Sequence, residues 1–190
     1  MTELRFGGWR IACDPAATRR AYATMADDKR CDCQTCRNYQ SAAAGFPEEV
    51  LRFFEQLGVD VRYPTEVWDC GEENFADHLD YGGFYHLAGR NLTPGTVDPG
   101  AWVQSQPKRW RLFLRRLWKS AFETALAAAP AHVQLHENFA VAFRNDATMQ
   151  PCIDLEDLPV LEVDIMFRVP WVLEEPYAGA ARKGQPDGSP

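Results

Sequence analysis

The sequence predicts an α+β fold, a mostly antiparallel sheet with helices packed on one face. Three observations lead to it. Alternating apolar runs gather late in the chain, where Phe139, Val141 and Phe143, and then Leu161, Val163, Ile165, Phe167 and Val169, alternate with small or polar residues. Helical periodicity gathers in the first part and the middle, as at Val50, Phe53, Phe54 and Leu57. The two patterns are not interleaved strand by helix, as a parallel βαβ sheet would require.

Taken in order, Phe6 to Cys13 reads as a strand, with Trp9, Ile11 and Cys13 alternating with Arg10 and Ala12. Gly7-Gly8 reads as a turn or bulge. Asp14-Pro15 marks a helix start. The aspartate can accept from unpaired first-turn amides, and proline lacks only an N–H that has no helical partner there. A helix over Ala16 to Met25 follows, then a charged break at Asp27 to Arg30 and a cysteine cluster. Arg37 to Ala44 is a second helix stopped at Gly45, and Pro47-Glu48-Glu49 opens a third that Gly58 stops.

Val59 to Cys70 is expected to be extended, bent at Pro64. Tyr81-Gly82-Gly83 reads as a turn, Phe84 to Ala88 as a strand, and Asn91 to Gly100 as a loop. Ser105 to Ala128 is the longest helix candidate. Between residues 108 and 119 it carries six basic side chains and no acid, and Trp110 and Trp118 lie on its apolar stripe. Packing of that stripe within the domain is preferred to docking on an anionic surface. The domain reading is one α+β domain over residues 1–176, with a helical insertion at 91–131 and a disordered tail at 177–190.

Formal net charge is −7, which disfavours non-specific nucleic-acid binding, because phosphate contacts need a basic surface. No stretch approaches the roughly 18 apolar residues of a membrane span, and residues 1–14 hold no apolar run that could serve as a signal-peptide core. The expected location is cytoplasmic, with reduced thiols.

Of six cysteines, three crowd into Cys31-Asp-Cys33-Gln-Thr-Cys36. Thiolates are soft donors that suit zinc, and a C-x-C-x-x-C run can bring three of them to one ion. Zinc takes four ligands, so a fourth must come from a distant residue. Cys70 and His86 rank first, since both lie at expected strand ends beside Gly71 and Gly83; His78, Cys13 and Cys152 follow. Structural thiols are one alternative. A redox or nucleophilic role is another, with Cys36 near a helix N-terminus and Arg30 and Arg37 flanking the cluster. An iron–sulfur cluster usually needs four cysteines.

Glu72, Glu73, Asp77, His78 and Asp80 form an acidic stretch, read as a solvated loop before a metal or acid–base site. Glu162 and Asp164 share the polar face of the last strand and are expected to meet water rather than line a pocket. His86 shares strand parity with Phe84, so a satisfied core histidine stands beside the ligand reading.

The stretch from Cys31 to Tyr39, the segment Tyr81-Gly-Gly-Phe-Tyr-His86 and the closing Pro170-Trp-Val-Leu-Glu-Glu175 together resemble a family of bacterial proteins without an established activity. The resemblance covers most of residues 6–90 and 132–175, with Asn91 to Ala131 as an insertion. It implies bacterial origin and a common fold, and no reaction. The function expected is a non-catalytic cytosolic binding or accessory domain with a zinc site, whose partner is a protein or small molecule. The competing expectation is an enzyme using a reactive cysteine or a zinc-bound water.

Overall fold

The structure, a computed structural model, describes residues 1–25, 31–70, 77–93, 132–144 and 151–178. The expected helix over Ser105–Ala128 with Trp110 and Trp118, the pair Glu72 and Glu73, and the tail from 179 onward lie outside the described residues.

The elements run β1 (Thr2–Phe6), β2 (Trp9–Cys13), α1 (Pro15–Ala23), α2 (Gln34–Ala42), a 3-10 turn (Ala43–Gly45), α3 (Glu48–Leu57), β3 (Glu66–Asp69), β4 (His78–Asn91), β5 (Val133–His136), β6 (Phe139–Arg144) and β7 (Val160–Pro170). The strands form one seven-stranded sheet in the order β1-β2-β4-β7-β6-β5, and β3 also pairs with β4. Every pairing is antiparallel. The α+β expectation holds.

β7 lies between β4 and β6, and its register sets Val163 opposite both Tyr85 and Phe143. The pleat therefore gathers Leu161, Val163, Ile165, Phe167 and Val169 with Tyr81, Tyr85 and Leu87 of β4 and with Phe139, Val141 and Phe143 of β6, all buried. The helices cover this face with rings: Phe54 meets Tyr85 at 4.7 Å, Tyr39 meets Tyr81 at 5.3 Å, and Phe46 meets Phe139 at 5.0 Å between centroids. Each such side chain contributes about 1.5–3 kcal/mol by leaving water.

Helix ends follow the expected chemistry. The Asp14 carboxylate accepts the Ala17 N–H at 2.9 Å, with Pro15 in the first turn. α3 ends at Gly58, whose φ of 76° suits glycine. The second helix starts at Gln34, earlier than Arg37, so Cys36 falls inside its first turn.

Two strand readings change. The strand from Phe6 to Cys13 is the second half of a hairpin, since β1 pairs with β2 around a turn with Gly7 at φ 55°. Tyr81-Gly82-Gly83 is not a turn. These residues lie within the 14-residue β4, which pairs there with β3. The glycines serve close approach: a Cβ on Gly83 would stand 2.5 Å from the Glu66 carbonyl oxygen, and one on Gly82 would meet the Trp68 indole at 2.7 Å. Trp68 can move, but the β3 backbone cannot. Gly83→Ala is accordingly expected to cost about 1–3 kcal/mol. Thermal melting checks this; an unchanged midpoint would show that β3 does not press on β4.

Among the described residues, no helix is long and apolar enough to cross a membrane.

Candidate metal centre

The ligand atoms of Cys31, Cys33 and Cys36 all lie within 4.8 Å of one another. Three sulfurs this close can bind one metal ion. The local sequence explains the convergence. Cys33 is the N-cap of α2, with extended φ and ψ of −62° and 160°, and Cys36 sits one turn along on the same face. Cys31 and Cys33 are exposed and Cys36 is half-buried, and none of the three is disulfide-bonded.

The start of α2 is tied to two other parts of the chain. Arg37 donates from Nε to the Asp32 carbonyl at 3.0 Å, bracing the loop between the first two cysteines. Its other end pairs with Glu175. Asn38, fully buried, donates from Nδ2 to Tyr81 Oη at 3.0 Å and to the Pro170 carbonyl at 3.1 Å, and accepts the Val172 N–H at 2.8 Å. Tyr81 in turn donates to the Thr35 carbonyl at 3.2 Å, inside the cluster's own turn. Gln34 donates to the Pro176 carbonyl and accepts the Ala178 N–H. Tyr177 hydrogen-bonds Asp69, so the segment after β7 continues as a strap across α2 and β3 as far as Ala178.

The thiols differ in electrostatics. Partial burial of Cys33 pushes its thiol up, but the Cys36 amide, the Cys31 and Cys36 side chains and the Thr35 amide outweigh this and bring it below the usual range. Unpaired amides at a helix N-terminus favour an anion. Cys36 is held well above the usual range, first by desolvation and then by its hydrogen bonds to Cys33 and Cys31 and their charges. The thiol favoured as a thiolate is therefore Cys33, whereas the sequence pointed to Cys36.

Cys70 and His86 are not in this group. His86 lies opposite Glu162, on the sheet face away from the helices. Its Nε2 is 3.3 Å from Glu162 Oε2 and its Nδ1 is 3.1 Å from Thr65 Oγ1, so both ring nitrogens are engaged. This is a satisfied core histidine, fully buried. Cys70 follows β3, its N–H bonded to the Asp80 carbonyl at 2.8 Å, and strand alternation sets it on the same outer face as Trp68. Cys13 is buried in the core, and burial pushes its thiol up to about 11. Cys152 lies 3.7 Å from Thr65 Oγ1, and His78 bonds Asp77 at 2.6 Å.

The outer face was expected to be wet along Glu162 and Asp164. It is wet at Met166, which is 57% exposed, but Glu162 is fully buried beside His86. Arg144 sits 3.9 Å from Glu162 and also pairs with Asp164. These contacts offset a desolvation cost of several kcal/mol per buried ion. The sequence reading also passed over Asn38. Its signal was an amide on the buried stripe with Tyr39 and Ala42, where a polar group must find partners.

Comparison of the chain with family models, with curated proteins and with solved structures finds no match.

Proposed function

We propose that the protein is a cytosolic, non-catalytic binding or accessory domain that holds a zinc ion on the Cys31, Cys33 and Cys36 thiolates. The convergence of three sulfurs within 4.8 Å of one another carries this reading. Zinc–sulfur bonds of about 2.3 Å in tetrahedral geometry put sulfurs about 3.8 Å apart, so small side-chain rotations suffice. The donor set favours zinc over a hard cation such as magnesium or calcium. A bound cation also deprotonates its ligands, which offsets the burial that holds Cys36 neutral.

The setting supports a structural ion. The cluster joins a loop, the first turn of α2 and, through Arg37 and Asn38, the C-terminal strap. An ion there fixes residues 31–36, beside which Arg37 and Asn38 hold the strap, and presents a set surface to a protein or small-molecule partner. The placements of Cys70 and His86 favour a fourth ligand other than these two, such as a carboxylate or a group from a partner, which keeps the site closed.

Untagged protein dialysed against metal-free buffer is expected to retain one zinc per chain by elemental analysis. Cys31→Ser, Cys33→Ser and Cys36→Ser should each release it, and Cys70→Ser should not. At a hundredfold excess over Kd, a bound ion stabilises by about 2.7 kcal/mol, so each releasing variant should melt roughly 5–10 °C lower. Wild-type protein without metal, or full retention in Cys33→Ser, would overturn the reading.

A further inference from the structure

We infer that the Cys33–Cys36 pair, when free of metal, carries out thiol–disulfide exchange with peptide or glutathione-class disulfides. This goes beyond the zinc reading. It uses the same sulfurs and does not require the ion.

The geometry separates two roles. Cys33 is exposed at the N-cap of α2, and Cys36 is half-buried one turn behind it. Of this pair, an incoming disulfide therefore reaches Cys33 before Cys36. By helix geometry, Cα atoms three residues apart stand about 5 Å from each other, within the roughly 4.4–6.8 Å a disulfide accepts. The sulfurs already lie within 4.8 Å of each other. The Arg37 contact to the Asp32 carbonyl holds the loop while α2 holds Cys36, so closure needs side-chain rotation rather than refolding.

The exchange balances in two steps. The Cys33 thiolate attacks one sulfur of the substrate disulfide, forming a mixed disulfide and expelling the other half as a thiolate, which takes up a proton. The Cys36 thiol then loses its proton to water and attacks the Cys33 sulfur. The Cys33–Cys36 bond forms and the second half of the substrate leaves as a thiol. Counted from the dithiol, including the proton that Cys33 gave to solvent on ionising, the protein loses two electrons and two protons, and the substrate disulfide gains them. Cys31 stays outside the ring.

The test uses the full 190-residue chain, stripped of metal and equilibrated without oxygen in buffers of rising oxidised-to-reduced glutathione ratio. Acid quenching, alkylation and peptide mass analysis then read the products. Wild type and Cys31→Ser should both yield a closed Cys33–Cys36 disulfide. Cys36→Ser should accumulate a glutathione adduct on Cys33, at least tenfold above its level in wild type. Cys70, exposed and outside the cluster, is the internal control and should form only an adduct. Adducts alone on wild type, or an internal disulfide of Cys31 in place of the Cys33–Cys36 bond, would overturn the inference. One equivalent of zinc should suppress closure. Closure undiminished by zinc would count against the zinc reading and leave the exchange standing.

Discussion

Val163→Asp is expected to abolish cooperative folding. Val163 is fully buried at the middle of β7, with Tyr85 of β4 and Phe143 of β6 as its cross-strand neighbours. The helix-covered face around it is apolar, built from Val141, Leu161 and Ile165 among others. A carboxylate there is shut off from water by apolar neighbours. The cost is roughly 4 kcal/mol or more, against a total stability of about 5–15 kcal/mol for an ordinary domain. Val163→Ala removes only two methyl groups and should cost about 2 kcal/mol. Soluble yield and thermal melting separate the two: the alanine variant melts cooperatively, and the aspartate variant does not. A cooperative melt of Val163→Asp near the wild-type midpoint would contradict the placement of β7 at the centre of the sheet.

Asn38→Ala is expected to be nearly as damaging, by a different route. The amide, fully buried, bridges Tyr81, the Pro170 carbonyl and the Val172 N–H. Alanine removes three hydrogen bonds, each worth about 0.5–1.5 kcal/mol net, and leaves a gap at a fully buried position. A total near 3 kcal/mol corresponds to a fall of roughly 6–12 °C in melting midpoint. The variant should also lose grip on metal, since Tyr81 would no longer be fixed against the Thr35 carbonyl beside Cys36. A midpoint within about 2 °C of wild type would show that the strap does not depend on Asn38.

The fold was legible wherever local pattern and burial agree. The alternation of β6 and β7, the Asp14-Pro15 start of α1 and the stripe of α3 each follow from nearest neighbours in sequence, and each holds in the structure. Gly82-Gly83 misled because its glycines answer to β3, a partner 15 residues upstream that presses its backbone against them. Glycine in a strand signals close approach as readily as a turn. Glu162 looked wet because strand parity names a face and says nothing of what covers it.

The cluster itself was legible from spacing alone, since C-x-C-x-x-C leading into a helix leaves the sulfurs little room to diverge. The ranking of Cys70 and His86 was not secured in the same way. Proximity across 34 or more residues depends on sheet face, and both have the parity of the outer face, whereas α2 packs on the inner one. The strap after β7 was legible only as a motif. Its role comes from Asn38, Arg37 and Gln34, whose partners are more than 130 residues away.

X-ray absorption at the zinc edge, on the protein loaded with one equivalent of zinc, tests the central proposal most directly. Three sulfur scatterers at about 2.3 Å and one lighter nitrogen or oxygen scatterer at about 2.0–2.2 Å are expected, with a sulfur lost in each of Cys31→Ser, Cys33→Ser and Cys36→Ser. A first shell of nitrogen and oxygen alone, or one unchanged by those substitutions, would contradict it.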